Sequence, residues 1–199
     1  QYSGMVSVYN VDRVVFENIS FFKNIISDDT LHVVNSDVVI SDARFSKCYG
    51  DCIDHDYSRA EMTNITIDQA GNDGIDFMGT AATLSRLRIN GAGDKGLSVG
   101  EKSNLRISFA SIERATIGVA IKDASKVHMD STDLKQNEIA IDVFVKHKIY
   151  GGPGSAVITN TSFSKNEVNG RSENGGNIVF QGLSIPDKIF GDGKIVSIN

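Results

Sequence analysis

Tryptophan is absent from this 199-residue chain, and proline and cysteine occur twice each. Two cysteines exclude a disulfide framework and a four-ligand zinc site alike. Cys48 and Cys52 flank the turn Tyr49-Gly50-Asp51, where they either close a small disulfide in an exported chain or stay as buried thiols. Positive charge is also short: 20 Lys and Arg face 25 Asp and Glu, for a net charge of −5. That balance excludes a general nucleic-acid binder, which carries a basic stripe. No run approaches the roughly 18 apolar residues of a membrane helix, so no membrane insertion is expected. No basic-then-apolar leader precedes Gln1, and an opening Gln in place of Met reads as a segment of a longer protein. What remains is a chain with 40% hydrophobic residues, enough for one domain with a core.

The hydrophobic residues recur at a fixed interval of 22. Counted from Asp29, the segments begin DTLHVV (29), DCIDHD (51), DGIDFM (73), KGLSVG (95), IGVAIK (117) and IAIDVF (139). Leu31, Ile53, Ile75, Leu97, Val119 and Ile141 form one apolar column. Val33, His55, Phe77, Val99, Ile121 and Val143 form the next. Alternation inside each segment has a period of two, which predicts strands with one buried face. A second strand follows about ten residues later in each repeat, with inward triplets such as Ile40, Ala43, Phe45 and Met62, Ile65, Ile67. A coil of this kind cannot bury its apolar face alone, so neighbours above and below complete it. The expected fold is all-β: a right-handed, single-stranded parallel β-helix of about eight coils, rising roughly 4.8 Å per coil.

Smaller signals fit this reading. Cys52, Gly74, Gly96, Gly118 and Ala140 place a small residue after each segment start, as a tight corner requires. Asn18, Asp42, Asn64, Ser131 and Asn160 share a turn position, which explains three Asn-X-Ser/Thr sequences as stacked turn amides. The period breaks once: Thr132 and Thr161 are 29 apart, and the excess falls in KHKIYGGPG (146–154), expected to be a rim loop. Residues 1–199 therefore read as a single domain, with 185–199 as a cap or a lead into further sequence. Neither end shows an amphipathic helix to seal the stack.

The outward column of the first sheet reads His32, Asp54, Asp76, Ser98, Ala120, Asp142. Two residues further along it reads Val34, Asp56, Met78, Gly100, Lys122, Phe144. Carboxylates on adjacent coils lie roughly 4.8 Å apart and relieve their repulsion by holding a proton or a cation. Asp54, Asp56 and Asp76 are therefore candidates for acid–base work, with Lys122 or His32 assisting. Asp51, Asp54, Asp73 and Asp76 form a candidate ligand set for calcium, a cation that takes several oxygens. A second acidic row, Asp29, Asp51, Asp73 and Asp94, sits where aspartates cap backbone N–H groups. Lys95, Lys122, Glu101 and Asp123 are placed to pair across coils. His55 falls on an inward column and is read as a hydrogen-bonded core residue.

With GNDGIDF (71–77) and GDKGLSVGE (93–101) in view, the chain resembles the pectate-lyase-like superfamily of right-handed β-helices over nearly all its length. Within it, the chain is similar to bacterial right-handed β-helix repeat proteins of unassigned activity. The resemblance implies a secreted, cell-surface or periplasmic protein that meets polysaccharide. The run NDGID (72–76) resembles a polygalacturonase motif and marks Asp73 as one of three carboxylates. That family's next Asp-Asp pair reads Asp94-Lys95 here, and its Gly-His-Gly reads Thr116-Ile117-Gly118. The expected function is binding of an extended acidic or neutral polysaccharide along the first sheet, with cleavage by a lyase or hydrolase route. The alternative is a non-catalytic β-helix: an adhesin, a tailspike-like scaffold, or a lectin-like module. Uncapped ends of such a stack also invite self-association.

Overall fold

The computed structural model describes residues 4–198, and nearly all of its regular structure is parallel strand. The chain winds as a parallel β-solenoid in which every rung contributes strands to up to three faces. The first face stacks Gly4–Tyr9, Asp29–Val34, Asp51–Asp56 and Ile75–Met78. It continues through the C-terminal ends of Ala81–Gly100 and Asn104–Lys122, then Ile139–Phe144, Gly170–Ser172 and Ile189–Gly191. The expected 22-residue register holds across its centre, where Leu31 pairs Ile53, Ile53 pairs Ile75, and Ile75 pairs Leu97. Both predicted inward columns are buried from Leu31 to Val143, His55 included.

The long strands bend to serve more than one face, so that Asp37–Cys48 and Arg59–Ala70 each span the second and third. At the bend sits a residue in the left-handed region: Asn18, Asp42, Asn64, Arg86, Phe109, Ser131 and Asn160 all have φ between 45° and 57°. A second such column runs Lys23, Lys47, Gln69, Gly91, Arg114 and Gln136, and a third runs Asn10, Asn35, Tyr57, Gly79, Glu101 and Asp123. Left-handed backbone costs a non-glycine residue roughly 1–2 kcal/mol, and here the hydrogen-bonded rungs on either side hold it. Side chains help where they are polar: Asn64 donates to Asp42 at 2.5 Å and Asn35 to Asn10 at 2.8 Å.

The small residues after each segment start have another cause than turn geometry. Gly74, Gly96 and Gly118 do not adopt positive φ. A Cβ on any of the three would lie 2.5–2.6 Å from the carbonyl of the next rung (Gly96, Gly118 and Ala140 in turn), and on Gly96 it would also lie 2.5 Å from Ile112 Cγ2. Close approach, not a turn, demands the missing side chain.

Another stack carries the corner between the first and second faces. Ser36, Ser58, Thr80, Ser103 and Ser125 are buried, and each hydroxyl accepts a backbone N–H from the rung before it. The distances are 2.9–3.1 Å. These donors would otherwise be left unpaired inside the protein.

Lys126 pairs Ser155 and Asp133 pairs Ser162, so the extra residues loop out between Phe144 and Ser155, with a 3-10 turn at Lys148–Tyr150. Residues 189–198 continue the solenoid. Ile189–Gly191 pairs Gly170–Ser172, and Lys194–Ile198 pairs Asn177–Gln181, forming a contracted ninth rung.

Candidate functional site

Rungs two to four bring most of the predicted acidic residues together on the outer side of the first face. His32, Asp54 and Asp76 stack in register, as do Val34, Asp56 and Met78. His32 is the hub. Its Nε2 lies 3.2 Å from Asp56 Oδ2 and 3.5 Å from Asp54 Oδ2, while Nδ1 lies 3.7 Å from Asp29 Oδ2 and 3.1 Å from the Tyr9 hydroxyl. The hydrogen bond to Asp56 raises the imidazole's pKa despite burial, with the charge of Asp29 adding to it. His32 is thus biased toward the imidazolium, which faces three carboxyl groups.

Asp54 is strongly perturbed. Burial, then the charges of Asp56 and Asp76, push it up to about 9, so it keeps its proton at neutral pH. Its side chain is still 19% exposed, and that of Asp56 is 22% exposed. The result is a proton-bearing carboxyl and a second carboxyl sharing one imidazole nitrogen at a solvent-accessible surface.

The second row splits off as its own group. Carboxylate oxygens of Asp51, Asp73 and Asp76 lie within 4.8 Å of one another. Burial and the charge of Asp73 push Asp51 up to about 7, and burial also raises Asp73. Capping accounts for part of this row, as its sequence suggests: Asp73 N–H donates to Asp51 Oδ1 at 2.8 Å, and Lys95 N–H to Asp73 Oδ1 at 2.9 Å. Lys95 Nζ ion-pairs with Asp94 and lies 3.5 Å from Asp73. Asp76 Oδ1 is buried with no hydrogen-bond partner. Three carboxylates, one of them with a spare oxygen, fit the oxygen preference of calcium. Asp54 groups instead with Asp29 and His32, so the predicted four-aspartate ligand set divides in two.

Two readings of individual residues need correction. Lys122 is not an exposed partner for Asp56: it is 3% exposed, and its Nζ donates to Ser98 Oγ at 2.6 Å. Ser98, Ala120 and Asp142 are buried with it, and Arg171 holds Asp142 through two hydrogen bonds of 2.5 and 3.0 Å. The outer face is therefore sealed over rungs five to seven and is not one flat track along the sheet. His55 is fully buried, but neither ring nitrogen finds a hydrogen-bond partner. It stacks on Phe77 at 5.5 Å, and burial depresses its pKa to about 3.

Sequence reasoning missed other features. Cys48 and Cys52 are joined as a disulfide, which spacing alone left open. A groove of about 500 Å³ lies on the outer side of the second face, lined by Arg13, Arg59, Arg106, Asp37 and Glu61 among others. Arg13, Arg59 and Arg106 fall 46 and 47 residues apart, about two rungs each time, a signal available in the sequence.

No curated protein matches the chain at a significant level. Among solved structures it is similar to two trypsin-treated forms of QnrB1, a plasmid-mediated fluoroquinolone resistance protein. One shows 16% identity over 80% of this chain and 90% of that one, with a TM-score of 0.23. The other shows 15% identity over 79% and 91%, with a TM-score of 0.20. Residues 54–185 match the profile described as the right handed beta helix region, and with the parallel, 22-residue winding described above the chain belongs to that family.

Proposed function

We propose that the protein is an exported β-helix that binds a polysaccharide across the outer side of its first face, at rungs two to four, and cleaves it by acid–base chemistry. The observation carrying this reading is Asp54, a proton-holding carboxyl set beside Asp56 and His32 at an accessible surface. In glycoside hydrolysis one carboxylic acid protonates the leaving oxygen while a second carboxylate activates water or attacks the sugar. Asp54 takes the first role. Asp56 and Asp76, its neighbours on the same strand and the next rung, are the candidates for the second. His32 orients Asp56 and supplies positive charge between the carboxyls. Asp51, Asp73 and Asp76 would hold a calcium ion, which would supply positive charge toward an acidic sugar. The Cys48–Cys52 disulfide supports an oxidising, extracytoplasmic setting.

A non-catalytic scaffold or adhesin is the second reading. The sealed outer face over rungs five to seven favours it, because Ser98, Ala120 and Asp142 present no open surface to a long polymer. The test is turnover and thermal shift on a panel of uronans and neutral glycans, with and without calcium, for the parent chain, Asp54→Asn and Asp76→Asn. The catalytic reading expects a loss of 10²–10⁴-fold in turnover for Asp54→Asn. Unchanged turnover in both variants, or no glycan response at all, would move the assignment to the scaffold.

A further inference from the structure

A third group of metal-type ligands lies at the corner that ends the first face, where the inserted loop returns to the stack. Glu101 and Asp123 occupy the same left-handed corner on successive rungs, with φ of 54° and 55°. His147 comes from the insertion. A carboxylate oxygen of Glu101, one of Asp123 and a ring nitrogen of His147 all lie within 4.8 Å of one another. Asp123 is fully buried, and only one of its oxygens is used: Oδ1 accepts the backbone N–H groups of Lys146 at 2.8 Å and His147 at 2.6 Å. Its Oδ2 is buried with no partner. An unpartnered carboxylate oxygen in the interior is costly unless a cation meets it.

We propose that Glu101, Asp123 and His147 bind a divalent transition-metal ion that clasps the 145–154 loop to the corner of the solenoid. One imidazole and two carboxylates form a mixed nitrogen and oxygen set. That set suits Zn²⁺ and other late first-row ions better than calcium, which takes six to eight oxygens. Zinc bonds of roughly 2.0–2.2 Å require the three ligand atoms to close to about 3.4 Å, a movement the exposed His147 ring can make. A fourth position stays open to water. The loop is already fixed by the Asp123 hydrogen bonds and by the Ala124 N–H to the Gly152 carbonyl at 2.8 Å, so the ion reinforces a formed corner. This site does not depend on the glycan reading of the first face.

The experiment uses the whole chain, stripped with a chelator and then titrated with Zn²⁺ by calorimetry, alongside limited trypsin digestion at Lys146 and Lys148. The expected result is binding that weakens at least tenfold in His147→Gln and in Glu101→Gln. Zinc should also slow cleavage at Lys146 and Lys148 at least tenfold in the parent and not in either variant. His147 is exposed, so its variant folds, and circular dichroism checks this. Zinc binding unchanged in His147→Gln, or abolished instead by His32→Gln, would place the ion elsewhere and overturn the proposal. So would binding with no protection of the loop.

Discussion

His55 offers the sharpest test of the packing argument. Its imidazole is fully buried between Val33 and Phe77, with both nitrogens unpartnered and its pKa held near 3. The folded protein therefore keeps this ring neutral down to about pH 3, while the unfolded chain protonates it below about 6.5. With the folded value depressed, unfolding takes up a proton between these limits, so stability is lost as pH falls through that window. At pH 4.5 the loss is about 3 kcal/mol, two pH units at roughly 1.4 kcal/mol each. His55→Leu removes this proton uptake along with the two unsatisfied nitrogens, which cost roughly 1–3 kcal/mol. It gives up the stacking on Phe77, worth roughly 0.5–1.5 kcal/mol. At pH 7 the variant should thus be modestly more stable, and at pH 4.5 its advantage should widen by about 3 kcal/mol. For a chain of this length that widening is roughly 6–12 °C in Tm. Melting curves of both proteins at the two pH values measure it. An advantage that does not change with pH would mean His55 takes up protons in the folded state, and the dry-core account of this column would fail.

Three other outcomes follow from the same geometry. Asp54 is the opposite case: its folded pKa of about 9 lies above the unfolded value of 3.8, so its contribution is full at low pH and fades as pH rises between the two. Asp54→Asn should flatten the decline in urea midpoint between pH 6 and 9, and an unaltered slope would count against a protonated Asp54. Gly96→Ala puts a methyl group against Ile112 and the Gly118 carbonyl, and should cost about 1–3 kcal/mol in chemical denaturation. A neutral effect would show that the rungs can spread. Thr80→Val leaves the Ser58 N–H without its acceptor at 3.1 Å. It should cost about 1–3 kcal/mol, with faster hydrogen exchange at Ser58 as the local signature.

The core was legible because it repeats: apolar columns such as Leu31, Ile53, Ile75 and Leu97 combine a two-residue alternation with a 22-residue interval, and no helix does both. The corners were half legible. Asn18, Asp42 and Asn64 announce a left-handed column, but Arg86 and Phe109 occupy the same column, since the stack tolerates any side chain that points outward. The hydroxyl ladder Ser36, Ser58, Thr80, Ser103 and Ser125 was present at near-constant spacing and went unread, because serine alone does not declare whether it faces in or out. The acidic cluster could be located from alternation and register. Its electrostatics could not, because the burial that raises Asp54 depends on what packs around it. Lys122 was misplaced for the same reason: its parity is outward, yet it lies down against Ser98. The Glu101, Asp123 and His147 group left no signal, since an insertion carries His147 out of the period.

The buried hydroxyl column has an engineering meaning. Each rung hands one N–H to the next rung's hydroxyl, so the ends of any complete rung in that run match the ends of its neighbours. A tandem copy of residues 81–103 would keep the register, supply its own ladder hydroxyl from Ser103 at the new seam, and lengthen the rod by about 4.8 Å. Here length is a countable property of the gene, adjustable one rung at a time.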